Sequence, residues 1–258
     1  MVKNLLGKMM QEAKTLKGKL DSKRFVEELE KGYLSKSAPA FKTKKSFAPS
    51  SLVYGSGECP RYWYLAFDGA TYVEDNTPAQ IANMRNGSKA HERIQEAAQN
   101  TDMFVSAETK IIYNDPPIFG FLDLMVDWDG EKIPVEIKTC NTDAFQRRKD
   151  AKTALPYHRA QLLIYMYIED KPKGVVLYEN KNTHELYPVV LEMTDENRQW
   201  VESTFEWMRQ VRAEWSSGTL PVKPYRSNSK ICKTCPLKAV CDDAGPGSVK
   251  LPTMEQLA

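Results

Sequence analysis

The chain has 258 residues, 41% hydrophobic and 27% charged, with a formal net charge of +2. That length suffices for one sizeable core with a helical appendage, and that charge excludes a uniformly basic coat for nucleic acid. No apolar run reaches the roughly 18 residues that span a bilayer, and Lys3, Lys8, Lys14 and Lys17 interrupt the N-terminus where a signal peptide would be apolar. No membrane partner is expected, and the setting is read as cytoplasmic. The charge is uneven: residues 1–50 hold twelve Lys/Arg against five Asp/Glu, a net +7, and the remainder 24 against 29, a net −5. A basic arm on a mildly acidic body suits phosphate contact at one end, although a solvated lysine-rich helix accounts for the same pattern.

In chain order, residues 1–35 read as helical, with Leu5, Leu6, Met9 and Met10 followed by Phe25, Val26 and Leu29 at near-helical spacing. Residues 36–50, rich in Lys, Ser and Pro, read as a linker or groove-lining loop. The expected organisation is a basic helical arm and linker over 1–49 and one domain over 50–258. A short helix is expected near Ser50 or Ser51, then the aromatic segment CPRYWYLAF at 59–67. A long helix follows over about 78–99, with Met84, His91, Ile94 and Ala98 on related faces. Three strands come next: FVSAETKIIY (104–113), FGFLDLMVDW (119–128) and KIPVEIKTC (132–140), the last two joined by an Asp-Gly hairpin turn. A helix is read at 157–168, strands at 175–180 and 185–193, and a long helix from an N-cap at Thr194 to about Trp215. The tail from Pro221 reads as irregular and cysteine-bearing.

The chemistry concentrates on the central hairpin. Period-two alternation sets Phe121, Asp123 and Met125 on one face of their strand, with Leu122, Leu124 and Val126 on the other. On the next strand Glu136 and Lys138 share a face, so antiparallel pairing brings Asp123 beside both. Two carboxylates on an apolar hairpin are costly unless a cation compensates them, and Mg²⁺ or Mn²⁺ prefers such oxygen ligands. An exposed ribbon face with Lys138 paired to a carboxylate explains either short string alone. His91 upstream, and Gln161 and Tyr165 one helical turn apart downstream, strengthen the functional reading.

The series GSKAH, GFLD, EIK and QLLIY resembles the motifs of RecB-like nucleases in the PD-(D/E)XK superfamily. The resemblance covers roughly residues 50–243. It implies an α/β, restriction-endonuclease-like core, a central mixed sheet flanked by helices, with a helical N-terminal segment and a C-terminal cluster-binding segment. It also implies His91, Asp123, Glu136 and the Ile137 carbonyl as metal ligands, Lys138 as the catalytic lysine, and Gln161 and Tyr165 as a supporting, DNA-binding pair. The activity implied is divalent-metal-dependent hydrolysis of DNA, as an exonuclease on single-stranded or frayed ends, in recombination, repair or phage DNA processing. Alternatives are a CRISPR-adaptation nuclease and a non-catalytic DNA-binding module of the same fold. No G-x-x-x-x-G-K-[ST] string occurs, so a motor is expected only from a helicase or recombination partner protein.

Cys232-x2-Cys235-x5-Cys241 has the spacing of a metal or cluster knuckle and needs a fourth thiolate from Cys59 or Cys140. Cys140 follows directly on a strand and reads as packing. The segment SSLVYGSGECPRYWYL resembles the upstream cysteine segment of iron–sulfur RecB-like nucleases, which implies a [4Fe–4S] cluster on Cys59, Cys232, Cys235 and Cys241. A four-cysteine zinc site uses the same ligands and is the alternative.

Overall fold

The computed structural model describes residues 20–35, 43–70, 72 and 76–244; the helical reading of Leu5 to Met10 and the loop reading of 36–42 lie outside them. The chain forms two compact units, residues 1–40 with 75–86 and residues 41–74 with 87–258. In the first, α1 (Ser22–Ser35) begins where Asp21 Oδ1 accepts the backbone N–H groups of Lys23 and Arg24, both at 3.1 Å. Such a cap satisfies donors that the first helical turn leaves open. The Arg85 guanidinium lies 5.3 Å above the Tyr33 ring.

The second unit begins with α2 (Pro49–Leu52), a 3-10 turn (Gly55–Glu58) and α3 (Pro60–Phe67). Then come α4 (Pro78–Gln99), which starts in the first unit, β1 (Phe104–Tyr113), β2 (Ile118–Trp128) and β3 (Glu131–Cys140). Helices α5 (Thr142–Ala151) and α6 (Pro156–Ile168) lead to β4 (Lys173–Asn180) and β5 (Leu186–Glu192). The chain ends in α7 (Asp195–Ser217), α8 (Lys230–Lys233) and α9 (Lys238–Asp243).

The strands make one sheet in the order β1-β2-β3-β4-β5, parallel between β3 and β4 and antiparallel elsewhere. The hairpin turn sits where Asp-Gly places it: Asp129 and Gly130 have φ of 54° and 84°, the left-handed pair that a two-residue turn requires. Parallel β3–β4 pairing needs a long crossover, and α5 and α6 supply it. Ile94 and Ala98 of α4 cover one face of the sheet, over Leu124, Val126, Ile133, Val135 and Ile137. On the other face α6 packs Leu162, Leu163 and Met166 with Val176 and Tyr178, backed by Trp200, Phe205 and Met208 of α7. This is the mixed, helix-flanked sheet that the sequence predicts.

Several local features depart from the sequence reading. Leu122 does not side with Leu124 and Val126; it packs with Ile111, Met125 and Tyr165 beneath α6. The side-chain alternation breaks at Asp123, opposite Glu108 with its left-handed φ of 49°, and the pair between Ala107–Leu124 and Thr109–Leu122 is missing although the register on either side is kept. Phe47, read as part of a linker, is fully buried: its N–H donates to Pro117 O, its carbonyl accepts from Phe119 N, and its ring lies 4.9 Å from Trp63 and 5.0 Å from Phe67. Phe47 thus belongs to the second compact unit. Residues 142–151 form α5, capped by Asn141, though Phe145 alone of them is buried and no apolar stripe announces the helix. Met84 is exposed, whereas Ile94 and Ala98 are buried.

Candidate active site

The break in alternation decides the site. It turns Asp123, 7% exposed, towards α4, where His91 Nδ1 lies 3.4 Å from Asp123 Oδ1. The other carboxylate oxygen, Oδ2, accepts the Ile137 N–H at 2.7 Å across the hairpin. The left-handed turn of the backbone at Glu108 also places its carboxylate here, so ligand atoms of His91, Glu108 and Asp123 all fall within 4.8 Å of one another. Gln95, one turn beyond His91 and buried, donates to both Glu108 Oε1 and Asp123 O at 2.8 Å. It locks the two strands at their broken rung.

Glu136 is 1% exposed, and Lys138 Nζ meets its Oε1 at 2.5 Å. Oε2 is buried without a hydrogen-bond partner. Burial pushes the Glu136 carboxyl well above the usual carboxylate range; the Lys138 ammonium pulls it back, and Asp123 pushes it up again. At His91 burial opposes the charged form, but hydrogen bonding to and the charge of Asp123 outweigh it, and its pKa stands above the ordinary value. A carboxylate crowded this way needs a nearby cation to stay ionised. The orphaned Glu136 oxygen and the His91–Glu108–Asp123 donor set therefore fit a divalent cation, with the imidazole favouring a transition ion such as Mn²⁺ over Mg²⁺.

Gln161 and Tyr165 are both buried beneath this site, and Gln161 hydrogen-bonds the Tyr165 side chain. Burial and the Glu136 charge raise the Tyr165 pKa, keeping the phenol protonated as a donor. Gly120 is required by that contact: a Cβ there would overlap the Tyr165 hydroxyl. Beside Lys138 and Gln161 a cleft of about 250 Å³ opens, also lined by Ser50, Tyr54, Tyr157 and His158. Burial, with the Lys138 and Arg148 charges, lowers the His158 pKa to about 3, so its ring stays neutral.

Cys59, Cys232, Cys235 and Cys241 line one pocket together with Ser56, Tyr62 and Leu65. Cys140 is elsewhere, half-buried at the end of β3, where its carbonyl accepts from Lys181 N. Burial raises the Cys59 thiol to about 11 and also raises Cys235. Thiolates at Cys59 and Cys235 would thus be disfavoured without a thiophilic metal or cluster to hold them; among the described residues the four cysteines share a pocket, but their sulfurs do not form a donor group within 4.8 Å as His91, Glu108 and Asp123 do. Arg61, only 2% exposed, ties the tail to α3 by donating to Pro221 O at 2.5 Å, Ala244 O at 3.1 Å and Cys241 O at 3.4 Å.

Sequence reasoning missed Glu108, Gln95, Arg61 and the aromatic cleft. Gln95 was within reach, since it follows His91 by four residues on one helix face. Glu108 carried no local signal, because its role depends on a backbone torsion.

Residues 85–242 match the PD-(D/E)XK nuclease superfamily, and the chain belongs to it. No curated protein matches it. Among solved structures, an alkaline exonuclease from Laribacter hongkongensis (LHK-Exo) is similar, with a TM-score of 0.52 at 13% identity over 67% of this chain and 90% of that one. Its complex with dAMP gives 0.50 at 14% identity, covering 67% and 89%. A structure titled SSO0001 aligns at 0.46 with 18% identity over 85% of this chain and 97% of that one. At such identities the likeness is one of fold.

Proposed function

We propose that this nuclease is a divalent-metal-dependent, RecB-like deoxyribonuclease that degrades DNA from an end, single-stranded or frayed, during recombination, repair or phage DNA processing. The observation that carries the reading is the His91, Glu108 and Asp123 donor group, next to which the buried Glu136, with Oε2 unpartnered and Oε1 on the Lys138 ammonium, adjoins Asp123. His91, Asp123, Glu136 and the Ile137 carbonyl would hold the metal, with Glu108 as an additional ligand. A cation held there would lower the pKa of a water and offset charge gathering on the scissile phosphate. Lys138 orients the attacking water and donates to the phosphate oxygens as their charge builds. Gln161 and Tyr165 brace Lys138 and Glu136 from α6, and Gln161, which lines the cleft, is the one that meets the strand.

The end-directed mode takes its support from the fold shared with an alkaline exonuclease. The four clustered cysteines hold a [4Fe–4S] cluster in this reading, with zinc as the alternative, and a helicase or recombination protein supplies any motor. Incubating linear and circular single-stranded DNA with Mg²⁺ or Mn²⁺ tests the function. Stepwise loss of nucleotides from the linear strand with the circle intact is expected. Cutting of the circle overturns the end-directed mode, and no cutting of either overturns the nuclease assignment.

A further inference from the structure

The cleft beside Lys138 is unlike the rest of the site, because three of its six lining residues, Tyr54, Tyr157 and His158, are aromatic. Their rings brace one another: Tyr54 and Tyr157 are 5.0 Å apart, Tyr157 and His158 4.4 Å, and His158 and Tyr178 5.6 Å. The far end is anchored, since the Tyr178 hydroxyl accepts the Leu155 N–H at 3.0 Å and lies 2.8 Å from His158 Nδ1. Tyr54 at the near end is 62% exposed, a large ring left in solvent at the mouth of the cleft.

An apolar ligand would use the rings but waste the Lys138 ammonium and the Gln161 amide in the same wall. A bare anion would use the lysine and waste the rings. A nucleotide needs both within the length of one residue. The volume, about 250 Å³, falls below the roughly 300–1,000 Å³ of sites for drug-sized ligands, which suits one base rather than a base pair.

We propose that Tyr54 and Tyr157 form a base-binding subsite, stacking one nucleobase of the strand being cut beside the phosphate held at Lys138. The inference rests on the nuclease reading above. Tyr54 offers the open ring face, Tyr157 sets its tilt, and His158 Nε2 is the ring nitrogen left to meet a base edge. Stacking accepts any base, because every base has a π face, so the subsite selects unpaired strands without selecting sequence.

Binding of a fluorescent oligothymidylate is measured in EDTA, where no cutting occurs, for wild type, Tyr54→Ala, Tyr157→Ala, Tyr54→Phe and Tyr157→Phe. Each alanine variant should bind about 5- to 150-fold more weakly, and each phenylalanine variant as wild type does. In the cleavage assay with Mn²⁺, an abasic residue next to the cut should slow wild type. It should slow Tyr54→Ala, which has already lost the stack, much less. Folded alanine variants that bind as wild type, or an abasic penalty equal in wild type and Tyr54→Ala, overturn the subsite. Wild-type protein that binds the strand but never cuts it overturns the nuclease reading instead, and leaves the binding comparison to judge the subsite.

Discussion

Glu136 sits where a carboxylate is expensive to keep: 1% exposed, one oxygen on Lys138 and the other without a partner. A buried unpaired oxygen costs on the order of 1–3 kcal/mol, which a metal-binding residue can recover on loading. His158 shows the complementary effect of burial. Its folded pKa is lowered to about 3 while the unfolded imidazole keeps the ordinary 6.5. Between those values the unfolded chain binds the extra proton, so the His158 contribution is complete above pH 6.5 and is lost as pH falls towards 3. The loss is about 1.4 kcal/mol per pH unit at most. His158→Asn should therefore show a flatter decline in stability from pH 7 to pH 4 than wild type, read by denaturant unfolding at each pH. Parallel declines would mean that His158 is not held neutral by its burial and by the Lys138 and Arg148 charges.

At the scale of elements, the broken rung between β1 and β2 joins stability to function. A non-glycine residue at φ 49° costs about 1–2 kcal/mol, and Glu108 bears it at the one point where Asp123 must turn towards His91. Asn tolerates the left-handed region better than Glu, so Glu108→Asn should melt at or above the wild-type temperature while binding Mn²⁺ more weakly by titration calorimetry. A variant that melts lower and binds Mn²⁺ unchanged would detach Glu108 from both roles. The same feature marks where the sequence stopped being legible. Alternation and the Asp-Gly turn were enough to pair β2 with β3 and set Asp123 by Glu136 and Lys138, because register follows from a local turn. Thr194, too, caps α7 by accepting from Asn197 N, as its sequence predicts. The break that puts Leu122 beneath α6 falls opposite Glu108, fifteen residues upstream of Asp123 on another strand, and alternation within one strand cannot report it. Helix α5 escaped notice for the opposite reason, since a solvated helix burying only Phe145 has no periodic face to read.

For the whole molecule, the tail is attached in two ways: through the buried Arg61 guanidinium, and through the pocket that Cys59 shares with Cys232, Cys235 and Cys241. A cluster there would close a long loop. By analogy with disulfides such closure stabilises by about 4–5 kcal/mol. Anaerobically purified protein should be brown, with iron and acid-labile sulfide in near-equal amounts. Cys59→Ser or Cys235→Ser should lose the colour and melt lower, while Cys140→Ser, away from the pocket, should stay brown. Stoichiometric zinc without iron would replace the cluster by the alternative metal and leave the nuclease chemistry intact. That chemistry is tested most directly by measuring Mn²⁺-dependent cleavage of single-stranded DNA by wild type, Glu136→Ala and Lys138→Ala, each checked for native circular dichroism. Cutting by wild type alone is expected, with both variants folded and inactive. Wild-type turnover in either folded variant would contradict it.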